Sequence, residues 1–171
     1  MNWSNYLFSF NGRVNRAKWW LFILICIGWV LVSMVISMVF MSISPGLAGI
    51  WGILSLLVWL VLLFAYFAVG AKRCHDRNKS AWWLLLFYVV PLVLSGYYMY
   101  SVMGSVFGMM TNPPTDQNAA AMSMLSTMQG LWWIQIINLI IGVWALVELG
   151  ILKGTTGDNP YGPDPLAGIP H

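Results

Sequence analysis

Charge is scarce in this chain. Lys, Arg, Asp and Glu together make up 8% of its 171 residues, whereas soluble domains carry roughly 25%. So little charge cannot clothe a water-soluble fold whose residues are 60% hydrophobic, and the chain reads as a membrane protein. Cysteine is scarce too: Cys26 lies in an apolar run and Cys74 in a basic segment, so there is no disulfide framework, and both read as small apolar fillers. The only histidines are His75 and the chain-terminal His171, which is too few for a metal centre, and no cofactor is expected. No basic stripe sits on a soluble domain. The net charge of +3 therefore suits anionic lipid headgroups, and no nucleic-acid partner is expected.

What the chain does have is four long apolar runs, placed at about 19–41, 50–71, 82–103 and 131–152. Each is long enough to cross a hydrocarbon core, which needs about 20 helical residues. The first exceeds the apolar stretch of a signal peptide and is read as retained. The eight Lys and Arg residues fall in three segments: Arg13, Arg16 and Lys18; Lys72, Arg73, Arg77 and Lys79; and Lys153. Because positive charge marks the cytoplasmic side, 1–18, 72–81 and 153–171 are expected inside, with both termini cytoplasmic. Tryptophan pairs open three of the runs, as indoles do at a headgroup boundary: Trp19-Trp20, Trp82-Trp83 and Trp132-Trp133.

The fold class expected is an all-α membrane protein, a single domain of four transmembrane helices with a short N-terminal interfacial helix and a non-helical C-terminal tail. Trp3, Tyr6, Leu7 and Phe10 recur at helical spacing before Gly12 and suggest the interfacial helix, with partner docking as the alternative. Ser44-Pro45-Gly46 forms a tight outer turn. The outer segment 104–130 holds Asn112-Pro113-Pro114 and a short helix over 119–129, with Met122, Leu125 and Met128 lying on the membrane surface.

Lipid solvates leucine as well as another helix does, so small and weakly polar residues indicate helix contacts. Gln135, Asn138, Gly142 and Ala145 form such a stripe; Ser33 and Ser37, and Gly49, Gly52 and Ser55, form others able to receive it. Packing is the first reading and a polar solute path the second. Pro91, mid-span, cannot donate a backbone hydrogen bond, which leaves the Phe87 carbonyl free and invites a kink. Every methionine after Met1 falls in an outward half-span or the outer loop. Gap-filling is the ordinary explanation, and Cu(I) binding the sharper one.

Three polar segments meet on the inner side. The first carries Phe10, Gly12, Arg13, Arg16, Trp19 and Trp20; the second Arg73, His75, Asp76, Ser80, Trp82 and Trp83; the third Asn159, Tyr161, Gly162 and Pro165. Together they match F-x-G-R-x-x-R-x-x-[YW]-W, R-L-H-D with S-x-W-W, and N-x-[YF]-G-x-x-P, so the chain resembles the bacterial inner-membrane family known as domain of unknown function 805. Cys74 stands where that family has Leu, and the outer loop is longer. The resemblance implies a small inner-membrane protein and supplies no activity.

The residues themselves argue against catalysis. Neighbours on a helix point about 100° apart, so Asp76 is poorly placed to orient His75, and no activated nucleophile is evident. Glu148, one turn inside the fourth span, needs a cation such as Arg73 or Lys72. Ser80 is expected to cap the third span. The site expected is a cytoplasmic cap of Arg13, Arg16, Arg73, His75, Asp76, Arg77, Ser80, Glu148, Asp158, Asn159 and Gly162, in which acids of the tail pair with the arginines. It would bind anionic headgroups or a protein partner, with homo-oligomers possible. The alternative is a small transporter or channel component using Pro91, Gln135 and Asn138; a membrane enzyme ranks third.

Overall fold

The computed structural model describes residues 2–112 and 116–167. Met1, Pro113, Pro114 and His171 lie outside that range. Helix α1 (Trp3–Phe8) is followed by three long helices, α2 (Arg16–Ile43), α3 (Pro45–Asp76) and α4 (Val90–Thr111), the last entered through a π-helical turn at Leu85–Val89. A further helix, α5 (Gln117–Ala145), runs on into a second π-helical stretch at Leu146–Ile151. Four of these rods are long and apolar enough to cross a membrane. Side chains such as Leu24, Ile53 and Leu139 stand exposed along them, which suits a lipid solvent.

Short polar side chains set the helix ends. The Asn15 side chain accepts from Lys18 N at 2.9 Å to start α2. Ser44 ends that helix by donating its backbone N–H to Phe40 O, and its hydroxyl then accepts from Gly46 N at 3.2 Å. With Pro45 in the first turn of α3, the expected outer turn shrinks to a single residue. Asn78 takes a left-handed conformation (φ 56°) just beyond α3, a geometry asparagine tolerates.

Two compact units account for the chain. The first holds residues 1–81 and 148–171, the second residues 82–147. In the first, α2 packs on α3 through Phe22 and Tyr66, and through Trp51, whose ring meets Trp29 and Phe40 and whose indole N–H donates to Ser33 O at 3.3 Å. Ser33 does lie at a helix contact, and Ser37 bonds back to the Ser33 carbonyl within α2, whereas Gly49 and Gly52 are exposed. Burial is concentrated at the polar end of α3, where Ala65, Ala68, Val69 and Ala71 allow close approach. Helix α1 lies against α3, and Phe8 and Phe10 meet Phe64.

In the second unit, Trp83 and Phe87, ahead of α4, pack on Trp144 of α5, and α4 itself meets α5 through a Ser105–Thr127 hydroxyl contact of 3.0 Å. Two expectations are corrected here. The segment 119–129 is no separate surface helix: Asp116 caps α5 through Ala119 N at 2.6 Å, and the helix runs unbroken into the fourth span because Gly130 is tolerated inside a long apolar helix. The buried stripe of α5 is Ile134 and Ile141, with Asn138 half-buried between them, while Gln135 and Gly142 are exposed one position away. Pro91 is met by the π-turn, in which Val90 N–H reaches Leu85 O, and the wider turn relieves the clash of the proline ring.

Met34, Met38 and Met41 stand exposed on α2 and fill no gap. Ser80 sits exposed in the segment between α3 and the π-turn.

Candidate functional site

The polar end of the first unit is built around the end of the second π-helical stretch, where Glu148, Leu149 and Gly150 are buried. A helix leaves its last four carbonyls without partners, and in an apolar medium each costs several kcal/mol. Here five successive carbonyls each receive a side-chain donor. Leu149 O accepts from Arg73 Nε at 2.6 Å, Gly150 O from Trp20 Nε1 at 3.1 Å and Ile151 O from Arg16 Nη1 at 3.3 Å. Leu152 O accepts from Arg73 Nη2, and Lys153 O from Arg77 Nη1. Three arginines thus crowd the negative end of the helix dipole, where cations are favoured.

Asp76 lies at the centre of this cap. Arg13 donates to its Oδ1 at 3.2 Å and Arg73 to its Oδ2, and the three side chains are 1%, 0% and 3% exposed for Arg13, Arg73 and Asp76. A carboxylate so deeply buried persists because two guanidiniums neutralise it. Gly154 passes directly over it. A Cβ there would come within 2.6 Å of Asp76 Cγ, so only glycine fits.

The tail is non-helical and docks on the cap. Arg13 spreads its remaining donors over Thr155 O, Gly157 O at 2.6 Å and Gly162 O at 3.3 Å. Gly157 (φ 76°) and Gly162 (φ 135°) supply the backbone conformations that aim those carbonyls. Thr155 N donates to Asp76 O at 2.8 Å, and Asn159 Nδ2 to His75 O at 2.9 Å. The Tyr161 ring stacks on His75 at 4.1 Å, nearly parallel. His75 in turn donates from Nδ1 to Gly12 O at 3.2 Å.

The expected partners of the acids change in two places. Glu148 pairs with Arg77 Nε at 3.2 Å and Lys79 Nζ at 2.9 Å, not with Arg73 or Lys72. Arg73 is committed to the helix end and Asp76, while Lys72 turns toward α1 and donates to Asn5 O and Tyr6 O at 2.7 and 2.6 Å. Tail docking runs through backbone carbonyls. Asp158 and Asp164 fold the tail itself, Asp164 accepting from Gly157 N and Leu166 N and Asp158 from Asp164 N.

Ten of the expected residues therefore gather in one cap, and Ser80 lies beside it in the turn after Lys79. Sequence reasoning missed Trp20, Lys72, Gly154, Thr155 and Tyr161 as site residues; Trp20 and Tyr161 were visible in the motifs, the other three carry no local signal. Tyr6 was also missed. It donates its hydroxyl to Lys18 O, and burial pushes that phenol up to about 12, so it remains a donor.

Chemically the cap offers guanidiniums, a shielded carboxylate and a cavity of about 250 Å³ bordered by Arg16, Lys153, Thr156, Asp76 and Asp164. His75 and Asp76 face different partners and form no dyad. Among the described residues no group of three His, Cys, Asp or Glu side chains is placed to hold a metal.

Two proteins of one organism are similar to this chain in sequence. The chain is similar to the inner membrane protein YhaH of Escherichia coli K12, 34% identical over 89 residues that cover 52% of this chain and 69% of the relative. It is also similar to the protein YiiR of the same organism, 28% identical over 167 residues that cover 96% of this chain and 90% of the relative. No solved structure matches. The family model described as "Protein of unknown function (DUF805)" matches residues 7–163, from helix α1 to the docked tail, and the chain belongs to that family as a multi-pass inner-membrane protein.

Proposed function

We propose that this is a non-catalytic protein whose polar cap lies on the cytoplasmic face of the inner membrane, with both termini inside, and binds anionic lipid headgroups. The observation that carries the reading is the imbalance of charge within the cap. Eight basic residues stand there against four acids, Asp76, Glu148, Asp158 and Asp164. Two of those acids are enclosed by arginine and lysine, and the other two fold the tail. The positive surplus that remains beside the headgroup region attracts anionic lipid by about 1 kcal/mol per basic residue. Helix α1, with Trp3 and Phe8 exposed, fits the interfacial anchor that such a surface needs.

The test is lipid retention. Native mass spectrometry of the full chain, released from mixed vesicles of phosphatidylcholine and an anionic phospholipid, should show anionic lipid enriched. Equal retention of both would end this reading, and a co-purified protein in its place would favour docking to a partner.

One observation favours transport as the second reading. Asn138 donates to Ser95 Oγ at 3.1 Å, one helical turn past Pro91, yet its own Oδ1 is buried and unpartnered among the described residues. Solute flux into liposomes that disappears in Asn138→Leu while folding is intact would make that reading the stronger.

A further inference from the structure

A second polar cavity, of about 240 Å³, opens under helix α1. Its walls carry three cations, Arg13, Lys18 and Lys72, and three asparagines, Asn2, Asn5 and Asn11; among the described residues no acid borders it. This composition differs from that of the cavity by Arg16, where Asp76 and Asp164 contribute. Lys72 is 3% exposed, yet among the described residues its ammonium meets only the carbonyls of Asn5 and Tyr6 and, at 5.6 Å, the Tyr6 ring. A buried ammonium normally has a counter-charge, and with three donors and two carbonyls it retains one to offer. Arg13 is already committed to Asp76 and the tail. Lys18, half-buried at the mouth, makes no ion pair among the described residues; its backbone is engaged by Asn15 and Tyr6, and no hydrogen bond of its ammonium is seen there.

The geometry points to this cavity as a binding site for a phosphate-bearing headgroup, held by Lys18 and Lys72 and bordered by the amides of Asn2, Asn5 and Asn11. The inference rests on the headgroup reading above and assigns it a place. The location suits a lipid, since Lys18 immediately precedes Trp19 and Trp20 at the entrance to α2, where indoles mark the headgroup level. A phosphate there gives Lys72 its missing counter-charge, and the neutral amides orient it without competing charge. Helix α1 forms one wall, so an occupied site also holds that helix against α3.

The experiment compares the full chain with Lys18→Gln and Lys153→Gln, the latter bordering the other cavity, in nanodiscs of phosphatidylcholine with a small fraction of phosphatidic acid. The Lys18 side chain makes no hydrogen bond or ion pair among the described residues, so its variant tests binding. Phosphatidic acid retention should fall roughly 5-fold in Lys18→Gln and stay unchanged in Lys153→Gln. A parallel arm adds millimolar inorganic phosphate. Displacement of the lipid would assign the site to the free anion, and persistence to the headgroup, the phosphate chemistry standing in both. Unchanged retention in Lys18→Gln overturns the site, and if Lys153→Gln alone loses lipid, headgroup binding stands but belongs to the other cavity. Absence of any preference in the unaltered protein removes both readings.

Discussion

Replacing Gly154 by alanine tests the cap with a single methyl group. The added Cβ would lie 2.6 Å from Asp76 Cγ and 2.8 Å from Oδ1, with Oδ2 closer still. Carbon atoms in contact sit about 3.5–4.0 Å apart, so something must retreat by roughly 1 Å. Two routes exist. Asp76 can withdraw, which breaks its bonds to Arg13 and Arg73 inside a buried cluster and costs about 3–5 kcal/mol. The tail can lift instead, giving up the Thr155 bonds to Asp76 O and those of Arg13 to Thr155, each worth about 0.5–1.5 kcal/mol and more where the guanidinium donates. The cheaper route sets the outcome, so Gly154→Ala should lose about 2–4 kcal/mol. Equilibrium unfolding in mixed micelles, followed by tryptophan fluorescence, measures it. Gly28→Ala is the control: a Cβ there meets nothing within 4 Å, and alanine inside a helix gains about 0.5–1 kcal/mol. Stability of Gly154→Ala within about 0.5 kcal/mol of the unaltered protein would refute the packing described for Asp76.

Other consequences are equally direct. Arg13→Gln and Asp76→Asn share one buried pair and should couple by at least about 1 kcal/mol in a double-mutant cycle, whereas Arg73→Gln and Asp158→Asn should add; the reverse pattern would return the tail acids to the role expected from sequence. Tyr161→Ala removes the ring stacked on His75 and should loosen a spin label at Asp158, while Tyr161→Phe keeps the ring and should not; equal mobility in both would show that the stack does not hold the tail. In a background without Cys26 and Cys74, single cysteines at Asn11 and Thr156 should resist a membrane-impermeant thiol reagent in intact cells, and one at Gly46 should react. Labelling of Thr156 from outside would invert the proposed topology.

The membrane class and the gathering of Arg13, Arg73, His75 and Asp76 were legible because both follow from side-chain type and from where charge falls along the chain. The partners were less so. Most of the bonds that Arg13, Arg16 and Arg73 donate go to backbone carbonyls, and a carbonyl leaves no mark in a sequence. Looking for counter-charges led instead to Asp158 and Asp164, which turned out to fold the tail. The register of Glu148 was hidden for a related reason, since it lies in a π-helical stretch and that extra residue per turn changes which face it presents. Helix length misled as well: Gly130 looked like a boundary, but a long apolar helix carries glycine without ending.

The capped carbonyls of Leu149 through Lys153 also impose an order of assembly. Ribosomes deliver Arg16, Trp20, Arg73 and Arg77 long before the acceptors they will bind, and Arg13 waits longer still, for Thr155, Gly157 and Gly162. Until those acceptors emerge, the guanidiniums lack the carbonyl partners they have in the folded protein. The segment from Leu149 to Gly162 thus completes the cap: without it Arg13, Arg16, Arg73 and Arg77 lose the backbone acceptors that hold them.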